Sequence, residues 1–161
     1  MRRRSRPASR WARLRAAHRD EGERGASLVE FAIVVGPLLL ILFGILYFGV
    51  ILSFKQAVTQ SAAEGARAVA PVSGNASTAL VTSTALLAAN RPISGWSKTC
   101  TSSGMTCNIS VAACQGNASA KCATVTVTYD YASHPILPSL PLLDNVLPRH
   151  IHSTAVVQMN P

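Results

Sequence analysis

Apolar and polar positions follow three different rhythms along this chain. Phe31 to Leu52 is an apolar run without a charged residue. Its 22 residues make a helix about 33 Å long, enough to cross a ~30 Å hydrocarbon core. Gly36, Pro37, Gly44 and Gly49 fall inside it; transmembrane helices tolerate such residues, and Pro37 can bend this one. Past Leu52 the run becomes a stripe. Phe54, Val58, Ser61 or Ala62, Gly65 or Ala66, and Val69 recur every three or four residues, with Lys55, Gln56, Gln60, Glu64 and Arg67 opposite them. The two patterns predict one helix from near Ala26 to about Val69, roughly 66 Å long, ended by Pro71. About half would project beyond the membrane, more than an anchor needs. The small residues of the stripe suit close packing against a neighbouring helix or against the chain's own outer domain.

A turn at Ser73-Gly74-Asn75 leads to a second predicted helix over about Ala76–Asn90, capped by Asn75 and closed by Arg91-Pro92. Leu80, Thr84 and Leu87 are expected on its inner face. Beyond Trp96 the period falls to two. Asn108–Ala113 reads as a short strand. Cys122–Tyr131 alternates, with Val125, Val127, Tyr129 and Tyr131 on one face and Thr124, Thr126, Thr128 and Asp130 on the other. A stretch with Pro135, Pro138, Pro141 and Pro148 follows, and proline cannot donate to a central ladder. His152–Met159 returns as a last strand, antiparallel to the first. The fold class is therefore a membrane-anchored α+β protein: a long N-terminal transmembrane helix extending outward, then a small disulfide-bearing, β-rich domain. Residues 1–25 form a basic arm or leader, 26–70 the helix, and 71–161 the outer domain.

Charge orients this arrangement. The formal charge is +8 over 161 residues, but residues 1–29 alone hold nine Arg against Asp20, Glu21 and Glu23. Only Lys55 and Arg67 closely follow the apolar run. The positive-inside rule then places the N-terminus in the cytoplasm and residues 53–161 outside. The arm reads as a short basic helix on the membrane surface or as disordered chain. Nucleic-acid binding is not needed to explain its charge. A cleaved secretory signal fits poorly: the small-x-small site at Ala68-Val69-Ala70 lies far past an apolar run that is itself too long.

Cysteine usage agrees with export. Cys100, Cys107, Cys114 and Cys122 all fall in the outer domain, at spacings unlike those of zinc sites. Three pairings are open. Turn residues Ser102-Ser103-Gly104 and Gln115-Gly116-Asn117 favour Cys100–Cys107 and Cys114–Cys122. No catalytic set stands out: His150 and His152 alternate as in a strand without a third ligand, and Asp130 and Asp144 have no acid/base partner. Three Asn-x-Ser triplets, at Asn75, Asn108 and Asn117, are common by chance in a Ser/Thr-rich chain. The chain reads as a non-enzyme, with no cofactor and no metal.

The chemistry gathers at Gly25-Ala26-Ser27-Leu28-Val29-Glu30-Phe31, where a carboxylate stands at the threshold of the apolar run. A charge at a membrane helix centre costs about 2.5–3.5 kcal/mol on insertion scales, and less near the interface. Taken alone, Glu30 reads as an interfacial acid solvated among headgroups. The junction and its apolar helix resemble the processing motif of type IV pilins and pseudopilins. The stretch Arg24–Ala70 resembles more specifically the TadE-like family of tight-adherence pilus proteins. Arg24-Gly25-Ala26, Val29-Glu30-Phe31-Ala32, Pro37-Leu38-Leu39-Leu40, Phe43-Gly44-Ile45 and Ala63-Glu64-Gly65-Ala66-Arg67 carry that resemblance. Val125–Tyr129, the proline-rich connection and Thr154–Val157 resemble the family's outer region more loosely.

The resemblance implies cutting between Gly25 and Ala26 by a prepilin peptidase on the cytoplasmic side, which leaves Glu30 and Phe31 fifth and sixth in the mature chain. The new Ala26 ammonium would share a helix face with Glu30, and their mutual neutralisation in a bundle would set helix register. Glu30, Pro37, Glu64, Gly65 and Arg67 are the helix-assembly residues this implies. The implied role is a minor pilin, pseudopilin or assembly factor of a tight-adherence (Flp-type) pilus. Its partners would be the peptidase, other pilins and pseudopilins, assembly-platform proteins and membrane lipid. The alternative is a permanently anchored, disulfide-stabilised envelope protein with no filament role.

Overall fold

The computed structural model describes residues 10–138 and 147–161, with side chains from Gly25 onward. Expectations for the start of the arm, and for Pro141 and Asp144, lie outside those residues. Helix α1 spans Arg10–Val69. It begins well before the expected Ala26, because residues 10–21 are mostly Arg, Ala, Leu and Glu, good helix formers without an internal Gly or Pro. Pro37 sits inside α1 without ending it.

The chain divides into two compact units, Met1–Leu46 and Tyr47–Pro161. In the first, every residue from Gly25 to Leu46 is exposed except the half-buried Val35 and Gly44. Large apolar side chains such as Phe31, Ile33, Leu40 and Phe43 point away from any core. The helix is long and apolar enough to cross a membrane.

The second unit contains the rest of α1, a helix α2 over Thr78–Ser94, and strands β1 (Met105–Cys114), β2 (Asn117–Asp130) and β3 (His150–Gln158). The strands form one antiparallel sheet in the order β1-β2-β3. The last strand therefore pairs with β2, not with β1, and runs parallel to β1. Val125, Val127 and Tyr129 are buried as their alternation predicts, flanked in register by Ile109, Cys107 and Met105 and by Ala155, Ser153 and Ile151. The apolar stripe of α1 completes this core with Tyr47, Ile51, Phe54, Val58, Ala62, Ala66 and Val69. Phe54 meets Trp96 and Tyr129 edge-on, with ring centroids 5.3 and 4.9 Å away.

Helix α2 corrects three expectations. Ser77, not Asn75, is its N-cap: the Ser77 Oγ accepts the Leu80 N–H. Pro92 does not close it, because the buried series Val81, Ala85, Ala89, Ile93 steps by four and carries the helix one turn further. That series also replaces the expected inner face; Leu80 and Leu87 are exposed, and Thr84 is half-buried. Leucines do not fit where α1 approaches. A Cβ built on Gly65 would stand 3.2 Å from the Ala85 carbonyl oxygen, 3.3 Å from the Ala89 Cβ and 3.1 Å from Val125 Cγ1. In the same contact the buried Ser61 hydroxyl donates to the Ala89 carbonyl.

Disulfides close both ends of β1. Cys100–Cys107 ties the preceding loop to the strand, and Cys114–Cys122 clamps the two-residue β1–β2 hairpin around Gly116, whose φ is +83°. These are the pairings that the turn residues favour. Each short loop contributes about 2–3 kcal/mol by restricting the unfolded chain.

Candidate functional site: the junction at Gly25 and the helix beyond it

Every residue of the junction is helical and exposed. Ala26 and Glu30 are one turn apart and so share a face of α1. A Cβ added at Gly25 would meet nothing within 4 Å, so no packing inside the chain requires glycine there. Gly36 and Gly44 also face open space. The side chains around Glu30 are apolar: Leu28, Val29, Phe31, Ile33 and Val34.

The Ala63–Arg67 element lies in the second unit and splits by face. Gly65 and Ala66 are buried against α2 and the sheet. Glu64 and Arg67 stay outside, paired at 3.2 Å. An exposed pair at this spacing is worth about 0.2–0.5 kcal/mol. Gly65 therefore serves the chain's own core and has no surface to offer a second subunit. Of the two uses open to the small-residue stripe, the structure takes the internal one.

Sequence reasoning assigned Tyr47 and Ile51 to the membrane run, whereas both are buried in the second unit. The signal was present. Tyr47, Ile51, Phe54 and Val58 continue the stripe backward at helical spacing, inside a run apolar enough to hide it. Polar chemistry in the second unit is local. Asp130 accepts the Ser133 N–H at 3.3 Å and stands 3.6 Å from His150 Nδ1. Hydrogen bonding from Ser133 and the nearby His150 and His134 hold its carboxyl below the usual range. His152 points outward on β3. Among the described residues no three His, Cys, Asp or Glu side chains converge.

A membrane-length apolar helix joined to a small α+β unit with two disulfides suits a membrane-anchored protein. Residues 25–67 match the family model described as TadE-like protein. The match begins at the junction glycine and ends on Arg67, so the resemblance is borne out along the helix. The match covers 43 of the 161 residues. No curated protein and no solved structure matches the chain.

Proposed function

We propose that the protein is a minor pilin, pseudopilin or assembly factor of a tight-adherence pilus. It acts without catalysis, by packing its N-terminal helix and presenting its outer unit for contact. The arm is cytoplasmic, the outer unit extracytoplasmic, and a prepilin peptidase cuts between Gly25 and Ala26. One observation carries the reading: α1 is covered on its stripe from Tyr47 onward and exposed on nearly all sides before it. The covered half serves as part of a domain. The bare half is left for lipid or for other helices.

The division at Tyr47 sharpens the position of Glu30. A hydrocarbon core takes about 20 helical residues. Counted back from Leu46, they reach Ser27 and include Glu30, which the run of 31–52 had placed at the edge. A carboxylate inside the hydrocarbon calls for a partner. Cutting after Gly25 creates one, the ammonium of Ala26, on the same face. The open space around Gly25 supports a small residue required by something outside the chain.

N-terminal sequencing of membrane-bound protein tests this directly. A start at Ala26 is expected; a start at Met1 in every molecule sinks the processing step. Recovery in sheared filaments, lost on Glu30→Ala, is the expected sign of incorporation. The second reading, a permanent anchor, draws on the self-contained core and two disulfides of the outer unit. It wins if the protein never leaves the membrane fraction and Glu30→Ala changes nothing.

A further inference from the structure

Charge avoids the two strands of the sheet that most need it. An edge strand leaves a row of backbone N–H and C=O groups unpaired, and natural sheets blunt such edges with Lys, Pro or bulges. Here the edges are β1 and β3, and neither contains Lys, Arg, Asp, Glu, Gly or Pro. Lys121 and Asp130 both lie on the central β2. β3 pairs with β2 from His150 to Gln158 without a register shift, and the irregularity of β1 falls at its last residues, Ala113 and Cys114. Among the described residues no further strand pairs with either outer edge; the isolated bridge of Ser73 to Asn160 lies past the end of β3.

The inner face is unfinished at the same two edges. In register, Ile109, Val125 and Ala155 form one row, and Val111, Ala123 and Val157 the next. The central members, Val125 and Ala123, are fully buried, whereas the four outer ones are half-buried. A strand added at either edge covers this remaining apolar surface and takes up the free backbone groups at the same time.

The direction of α1 decides what that strand is. Tyr47 reaches Tyr131, Phe54 packs on Tyr129, and Gly65 stands against Val125. α1 therefore runs antiparallel to β2 and in the same sense as β1 and β3. Two β3 edges joined antiparallel across a two-fold axis would turn the second α1 round, and its apolar stretch would leave in the opposite direction. Copies anchored from one side of one bilayer cannot make that contact. β3 of one copy beside β1 of the next, in parallel, keeps every α1 in the same sense. The two edges are different surfaces, so this contact is heterologous and can repeat from copy to copy.

We propose that the sheet is an edge-to-edge assembly surface: β3 of one copy adds in parallel to β1 of a second copy and extends the sheet across the subunit boundary. The inference rests on the anchored, filament-building reading and names the contact that the outer unit makes.

The test uses the full chain in detergent micelles, with subunit number read by light scattering. Ile109→Lys spoils only the β1 edge and Ala155→Lys only the β3 edge, since an added strand would trap each ammonium on the inner face. The wild-type chain is expected to form dimers and larger species, and each variant alone to associate at least about tenfold more weakly. An equimolar mixture should recover dimers and nothing larger, through the intact β1 edge of Ala155→Lys and the intact β3 edge of Ile109→Lys. That recovery also shows that both variants fold. If one does not, hydrogen exchange of the wild-type chain decides: amides of β1 and β3 should gain protection with rising protein concentration, and those of α2 should not. Dimers of Ile109→Lys alone would show β3 pairing with itself and overturn the proposal. A monomeric wild type, edge amides indifferent to concentration, or undiminished association of both variants would overturn it too. Sheared filaments are read in parallel. A chain present in filaments without the edge contact refutes only this inference, whereas edge association in a chain absent from filaments refutes the filament reading and upholds the contact.

Discussion

Phe43 and Phe54 lie about three turns apart on one helix, yet Phe43 is 61 % exposed and Phe54 is completely covered. Their glycine neighbours differ in the same way. Gly44 faces open space, whereas Gly65 sits against Val125, Ala85 and Ala89. Identical residue types thus do opposite work on either side of Tyr47. In the first half apolarity has no direction, as suits a solvent that surrounds the helix. In the second half the covered residues follow one stripe, with the exposed Phe48, Leu52, Lys55, Glu64 and Arg67 elsewhere, as suits a core on one side.

Substitutions at matched positions are the sharpest way to break this comparison. Phe54→Ala is expected to destabilise the outer unit by about 3–5 kcal/mol in denaturant melts of the detergent-solubilised chain, since it empties the centre of the aromatic cluster. Phe43→Ala should leave that melt within about 0.5 kcal/mol. Equal effects would abolish the distinction. Next in size, removing Cys100–Cys107 by a double Ser replacement should cost about 2–3 kcal/mol.

Gly65→Val should cost about 1–3 kcal/mol, because the Ala85 backbone cannot easily yield, while Gly44→Val should leave the melt unchanged. If Gly44→Val instead impairs filament incorporation, the bare half is a helix-packing surface as well as an anchor. Arg67→Ala should lower stability by no more than about 0.5 kcal/mol.

The last prediction concerns pH. Folding lowers the Asp130 carboxyl below its ordinary value, so its contribution is present above the usual carboxylate range and is lost as pH falls through the folded-state value. Asp130→Asn should flatten the acid limb of the stability curve by lowering stability slightly at neutral pH while leaving it almost unchanged below the folded-state value. An unaltered acid limb would show that Ser133 and His150 do not hold this carboxylate.

Legibility followed the range of the determining interaction. The alternation of Val125, Val127 and Tyr129 was readable because a strand's two faces follow from its pleat. The cysteine pairings were favoured by turns that each disulfide encloses. The inner face of α2 was not readable. Leu80 and Leu87 carry more apolar area than Ala85 and Ala89, and area alone selects the leucines. The narrow gap to Gly65 and Ser61 selects the alanines instead, and that gap belongs to two helices at once.

The junction itself was legible only as a motif. Its proposed role draws on Tyr47, since the proposal counts the depth of Glu30 from where the bare helix ends. Sequence alone therefore determined that a membrane-length helix exists, that cysteine-bearing strands follow it, and that residues along the helix resemble a TadE-like protein. Tertiary structure decided where the helix stops being bare, which face of α2 is inside, and that Gly65 belongs to the chain's own core. The physical reason is that lipid and protein interior both reward burial of apolar surface. Periodicity can reveal that a surface must be covered, but only the packed fold shows what covers it.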